Sequence, residues 1–315
     1  MAKLVDRSQG GSDMEFRVRR DVIVAMASAA TLLLLGALAE AQNAGSVRNL
    51  ELCNGVGSVS LDLQIGGCTA LIESGTMTPE GLAIAYNIRG NAHSKNNQYD
   101  SAIQDYDDSI RINPNYAKAF NNRGVAYQKK GEYQRAIEDL NEAIKINSEY
   151  AIAFANRAET YQKNGEYDNA GRDYDTVIQL QPKYDEVVRL QPELQSEWKR
   201  ALETAWNERC WTRAIIGQLQ SALANCNEAL RLRPNVAVIF DSRAFAYLKM
   251  GQWNAAIADY NSALRLEPAL ASALYGRGLA KLKNGEANAG DADIKAAIAI
   301  KSNIVADFAR YGIKQ

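Results

Sequence analysis

The chain has 315 residues, 47% hydrophobic and 23% charged, with 36 Lys+Arg against 37 Asp+Glu and a formal net charge of −1. That balance supplies no basic field to hold a phosphate backbone or an anionic membrane, so nucleic acid is not an expected partner. One histidine and four cysteines leave little material for a metal or nucleophilic centre.

In chain order, Arg17, Arg19 and Arg20 precede an uncharged run from Val22 to Ala39 that contains TLLLLGAL. A basic start followed by an apolar middle is the layout of a secretory signal peptide. Ala39 and Ala41 flank Glu40 in an A-x-A pattern, which predicts cleavage before Gln42, and Met14 offers an alternative start. The chain is therefore expected to be exported, periplasmic or secreted, with residues 1–41 as extension and leader and no membrane insertion afterwards. The run lies at the lower edge of what spans a bilayer, so an uncleaved anchor is the alternative. No Cys follows it before Cys53, which argues against lipid attachment.

All four cysteines lie beyond that point, and an even count in an exported chain favours disulfides, with three possible connectivities. Cys53 and Cys68 enclose NGVGSVS, which has too little pattern to order itself, and pairing them gives a disulfide-containing cap over 42–82. Within the cap, residues 60–74 read as a helix packed on the first hairpin of a repeat array.

From residue 83 a 34-residue period sets in. Segments 83–116, 117–150 and 151–184 align without a gap, 237–270 and 271–304 follow in register, and 203–236 is a divergent copy. The insert at 185–202 begins with a local duplication, YDTVIQLQPK followed by YDEVVRLQPE. No Gly or Pro occurs from Glu193 to Ile216, so the first helix of the fourth copy is expected to be extended at its front. Within each copy, apolar and small residues recur at three- and four-residue steps in two blocks separated by a break such as KKGEY. That predicts two amphipathic helices and a stop. One such hairpin cannot bury its apolar face, so neighbours must stack. Residues 305–315 are expected to form a short closing helix that places Phe308 on the last copy.

The second copy carries Phe120, Gly124, Tyr127, Ala136, Leu140, Ala143 and Ser148 at its positions 4, 8, 11, 20, 24, 27 and 32. In this pattern the chain resembles the tetratricopeptide repeat family over roughly 83–304. The resemblance implies an all-α, right-handed superhelical solenoid of six antiparallel helix pairs with terminal capping helices. Lys281 and Gly290 depart from the pattern and suggest a looser last unit.

Position 7, commonly Leu in the family, is Arg in every copy: Arg89, Arg123, Arg157, Arg209, Arg243 and Arg277. Sixteen residues later come Asp105, Asp139, Asp173, Asn225, Asp259 and Asp293. In an antiparallel hairpin that turns midway, this spacing sets the Arg opposite the acid and predicts an internal ladder. Buried ion pairs return little net stability after desolvation, so the ladder is assigned to packing register. Cys210 and Cys226 share the spacing and are expected to clasp the fourth hairpin; two free buried thiols are the alternative.

The resemblance further implies that the first helices line a concave groove. Its positions fall on Asn87, Asn91, Lys118, Asn121, Val125, Gln128 and Glu159, then on Trp211, Asp241, Phe245 and Tyr275. Exposed aromatics mark partner sites, so Trp211, Phe245 and Tyr275 are expected to anchor an extended peptide or helix. Asn91 and Asn122 match a carboxylate clamp known in the family, but its cationic positions hold Asn87, Ile152 and Asn156, so acidic C-terminal peptides are not expected ligands.

The functional expectation is a non-catalytic scaffold that binds a protein partner, without cofactor or metal. Self-assembly into a homo-oligomer is the alternative, and an accessory role beside an envelope enzyme a weaker one. His93 falls where the family packs Tyr, and the sequence has neither a zinc-spaced Cys/His cluster nor a phosphate-binding Gly loop.

Overall fold

A computed structural model describes residues 45–181 and 195–313, and every regular element among them is a helix. The expected leader and its cleavage site, and most of the insert, lie outside the described residues. The chain divides into two compact units, one ending at Gln98 and one beginning at Tyr99. The boundary falls between the two helices of the first copy.

The first unit contains α1 (45–53), α2 (Leu61–Glu73) and α3 (Pro79–Lys95). Ser60 caps α2 by accepting from the Leu63 amide, and Thr78 caps α3 by accepting from Gly81, with Pro79 in the first turn where no amide donor is needed. The Cys53–Cys68 disulfide joins α1 to α2 with Cα atoms 4.5 Å apart, and both cysteines are buried against Leu71. The expected cap helix is α2, and it packs on α3.

The second unit is an array of antiparallel pairs. It begins with α4 (Tyr99–Ile112), α5 (Ala117–Lys130), α6 (Tyr133–Ile146), α7 (Ala151–Lys163) and α8 (Tyr167–Gln179). Then come α9 (Gln195–Ile215), α10 (Leu219–Leu232), α11 (Ala237–Lys249), α12 (Trp253–Leu266), α13 (Ala271–Lys283), α14 (Ala287–Ile300) and α15 (Ile304–Arg310). Each first helix (α5, α7, α9, α11, α13) packs on its own second helix and on the second helix before it. First helices also meet one another, as α9 does with α7 and α11. With 21 residues, α9 has the extended front that its Gly- and Pro-free sequence predicts.

The turn inside each pair needs a left-handed residue. Gly131 supplies it at φ +80°, and Asn97, at the same place in the first copy, adopts φ +59°. Asn is the residue besides Gly that visits this region most readily.

The core alternates small and large residues across each hairpin. Small residues at position 8 (Gly124, Ala158, Ala244, Gly278) leave room for Leu140, Tyr174, Tyr260 and Ile294 at position 24. In the fourth pair both positions are cysteine, and the Cys210–Cys226 disulfide, with Cα atoms 5.2 Å apart, replaces that contact. Burial of Tyr174, whose hydroxyl donates to Gln162 Oε1 at 3.2 Å, is worth about 2–3 kcal/mol.

The last pair is not loose, contrary to the sequence expectation. A Cβ added to Gly278 would stand 2.8 Å from the Gly290 carbonyl oxygen and 2.7 Å from Ile294 Cγ1. Two glycines bring α13 and α14 nearer than alanine would allow, and Lys281 reaches Asp293 at 2.8 Å. Gly278→Ala is therefore expected to destabilise the chain by about 2 kcal/mol through overpacking, read as a lower urea midpoint.

Candidate functional site

Residues of the first helices fall into three groups: those that hold the stack together, those that link one first helix to the next, and those that face the C-terminal segment.

The arginines belong to the stack. Arg157 donates from Nε and Nη2 to both oxygens of Asp173, each at 2.7 Å. Arg123 does the same with Asp139, Arg243 with Asp259 and Arg277 with Asp293, at 2.6–2.8 Å. The third nitrogen reaches the preceding second helix, where Asp107, Asn141, Asn227 and Asn261 accept from Arg123, Arg157, Arg243 and Arg277. Each guanidinium thus ties one hairpin to the one before it. In the fourth pair the acid changes side: Asn225 stands across the hairpin at 3.4 Å, and Asp175, on α8, takes the charge of Arg209. The preceding-helix acceptors escaped the sequence reading, although a recurring Asp or Asn at position 25 was their signal. In the first unit, Arg89 donates to Thr69 Oγ1 at 3.0 Å; Asp105, in the second unit, is buried. The ring at position 4 lies under the Arg of the same copy in five cases, Phe154 under Arg157 at 5.3 Å among them.

Several expected partner-binding residues link one first helix to the next and are buried by doing so. Asn121 accepts from Asn156 (2.8 Å), and Gln128 donates to Thr160 (3.1 Å). Ser242 donates to Asn207 (3.1 Å) and Ser272 to Asp241 (2.7 Å). Gln162 donates to Thr212 and Glu208. Asn121, Gln128 and Asp241 are thus inter-helix linkers, not an open polar surface. The physical reason is proximity: neighbouring first helices approach closely enough that unpaired amides there would be stranded. Lys118 is exposed, Val125 and Glu159 are half-buried, and Glu159 pairs with Lys163 at 2.9 Å. In the first unit Asn87 is buried and Asn91 half-buried, while His93 Nδ1 lies 2.7 Å from Gln98 Oε1.

The expected exposed aromatic patch is corrected by the structure. Phe245 is 1% and Tyr275 2% exposed, because the C-terminal segment covers them. Phe308 stacks edge-on against Tyr275 (4.7 Å between centroids) and Phe245 (5.7 Å), and Tyr311 lies edge-on to Trp211 (5.1 Å). Trp211 in turn meets Phe245 at 4.7 Å. The closing helix therefore reaches beyond the last pair and lies across α9, α11 and α13. Ile304, Asp307, Phe308 and Tyr311 recur at i, i+3, i+4 and i+7, the stripe of an amphipathic helix docked on one face. Lys249, on α11, donates to the Tyr311 carbonyl (3.2 Å) and the Ile215 carbonyl (2.7 Å), and burial pushes its pKa down.

Beside the docked segment lies a cavity of about 190 Å³. Asn207, Glu208, Asp241 and Ser272 line it on one side, Lys301, Asp307 and Tyr311 on the other. Burial raises the Asp241 carboxyl to about 7, partly offset by the Ser272 hydroxyl. Burial likewise raises Glu208, which keeps some surface exposure, against hydrogen bonds from Gln162 and Asn207. Among the described residues no cation pairs with either; Asp307 is held by Lys301 (2.6 Å) and Arg310.

Family models of the tetratricopeptide repeat match residues 117–150 and 151–184, and a TPR repeat model matches 90–131 and 244–285. Among solved structures, the chain is similar to a tetratricopeptide repeat protein from Parabacteroides merdae, with 18% identity, a TM-score of 0.56, and 85% of this chain and 99% of that one covered. It is also similar to the C-terminal part of a TPR repeat-containing protein from Cytophaga hutchinsonii (15% identity, TM-score 0.55, coverage 86% and 100%). Pseudomonas aeruginosa PilF is a third (15% identity, TM-score 0.55, coverage 72% and 96%). At these identities the likeness is one of fold. No curated protein matches the chain.

Proposed function

We propose that this chain, which belongs to the tetratricopeptide repeat family, is a non-catalytic scaffold whose first-helix face binds a helical segment of a protein partner in the cell envelope. The observation that carries this reading is the docked segment 304–313. The face of α9, α11 and α13 accommodates an amphipathic helix through an aromatic cluster and a lysine that donates to a carbonyl at the helix's end. Helix-in-groove recognition uses the same i, i+3, i+4, i+7 anchors. The envelope assignment is supported by the leader-like residues 17–41 and by two disulfides, which persist in oxidising compartments. Among the described residues no helix is long and apolar enough to cross a membrane.

The exposed and half-buried positions Lys118, Val125 and Glu159 extend the same face toward the amino end of the second unit. Capture from an envelope extract is expected to yield a protein that the wild-type chain retains and that a Val125→Glu/Glu159→Lys variant of unchanged helicity loses. Identical captures by the two chains would contradict the reading.

A further inference from the structure

We infer that the aromatic face on α9, α11 and α13 is a docking site for a basic, aromatic amphipathic helix of a protein partner, and that residues 304–313 are a displaceable occupant of that site. The inference rests on the proposed scaffold function and specifies the chemistry of its ligand.

Three observations support it. First, the site is built to receive a helix. Phe245 and Tyr275 are almost wholly buried beneath Phe308, Trp211 packs against Tyr311, and Lys249 satisfies a carbonyl at the end of the docked helix that no intrahelical amide reaches. Within the repeats Lys249 donates to the Ile215 carbonyl at 2.7 Å, and the docked helix adds the Tyr311 carbonyl at 3.2 Å as a second acceptor for a charge that is partly desolvated.

Second, the resident segment is a weak ligand by construction. It is one seven-residue helix joined to α14 by a short turn, and it brings Asp307 to a cavity already lined by Asp241 and Glu208. Those two carboxylates have no paired cation among the described residues, and Asp307 draws its own compensation from Lys301 and Arg310 within the C-terminal segment. The resident segment thus brings no free cation to Asp241 or Glu208, because Lys301, which lines the same cavity, and Arg310 are both engaged by Asp307.

Third, the mismatch defines the better ligand. A helix with Lys or Arg in the register of Asp307 would bring an uncommitted cation to the cavity that Asp241 and Glu208 line. Phe one residue later and Tyr three residues after that would keep the ring contacts. Charge complementarity of this kind selects a partner while suppressing others. The resident segment has the advantage of tethering, at an effective concentration in the millimolar range, so a competing helix must bind correspondingly tighter to replace it.

The test uses two fluorescent peptides, residues 301–313 as they stand and the same peptide with Asp307→Lys, titrated by anisotropy against the purified chain. Three chains are compared: wild type, Phe308→Ala/Tyr311→Ala, and the latter with Asp241→Asn/Glu208→Gln added. Both peptides are expected to bind the Phe308→Ala/Tyr311→Ala chain about tenfold tighter than wild type, because its site is vacated. The lysine peptide is expected to bind that chain about fivefold tighter than the parent, a gain that disappears when Asp241 and Glu208 are neutralised. If the double variant loses helicity, Tyr311→Ala alone is used with the same criteria. Absence of peptide binding to the opened chain, or a lysine peptide no tighter than its parent, overturns the inference. Because the peptides need no natural partner, that failure is distinct from failure of the scaffold reading. Peptide binding without any partner lost by the Val125→Glu/Glu159→Lys chain would instead sink the scaffold reading and leave the site chemistry standing.

Discussion

Arg157→Ala is expected to lower the unfolding free energy by about 3–4 kcal/mol, because it leaves the Asp173 carboxylate uncompensated inside the stack. The Asp173 side chain is only 8% exposed, and two of its hydrogen bonds come from this one guanidinium. The loss also frees Asn141 on the preceding second helix, so two repeat interfaces are affected by one substitution. Arg157→Met combined with Asp173→Leu is expected to recover most of the stability, since a buried pair replaced by apolar groups of similar volume is close to neutral. Arg231→Ala provides the control: its pair with Glu228 joins side chains 67% and 31% exposed, and its removal is expected to change stability by no more than about 0.5 kcal/mol. Urea denaturation of the four chains measures all of this. Equal effects for Arg157 and Arg231 would show that the ladder does not hold the stack.

The second large effect is a pH dependence centred on Asp241. Its folded-state pKa is raised to about 7 by burial, whereas in the unfolded chain an aspartate titrates near 4. Between those values the folded chain holds a proton that the unfolded chain has released. Stability from this group is therefore complete below pH ~4, falls as pH rises through the interval, and is gone above pH ~7. Asp241→Asn keeps an acceptor for Ser272 without the charge, and is expected to be more stable than wild type at pH 8 by up to about 4 kcal/mol. At pH 4 the two chains should be nearly equal. Glu208 is shifted in the same direction and leaves a shallower slope in the variant. Glu267 adds to the upward shift of Asp241, while Asp307 faces the same cavity already neutralised by Lys301 and Arg310. Thermal unfolding at pH 5 and pH 8 reads the difference, and parallel slopes for the two chains would contradict it.

Local periodicity made the helix pairs and the ladder legible. An Arg and an Asp sixteen residues apart across a hairpin must face one another if the hairpin closes at all, and Cys210 and Cys226 obey the same geometry. The preceding-helix partner of each Arg was also present as a recurring Asp or Asn. It was harder to read because its spacing runs backward across a repeat boundary, and it lengthens from 16 to 34 residues where the insert intervenes.

The binding face was legible only in part. Position alone marks Asn121, Gln128 and Asp241 as inward-facing, but whether such a residue meets solvent or the neighbouring first helix depends on inter-helix distance, which no single repeat encodes. The destination of the C-terminal segment was further out of reach. Its stripe of Ile304, Asp307, Phe308 and Tyr311 announces an amphipathic turn, yet the contact of Tyr311 with Trp211 is made across several intervening helices and follows no period. The aromatic residues that mark this face as a site are the ones the segment conceals.

Hydrogen–deuterium exchange on the chain alone and with its captured envelope partner tests the central claim most directly. If the first-helix face is the binding surface, the partner should slow exchange along α9, α11 and α13 while exchange in residues 304–313 accelerates as the resident helix leaves. Protection confined to the second helices α6, α8, α10 and α12, with 304–313 unchanged, would contradict the account.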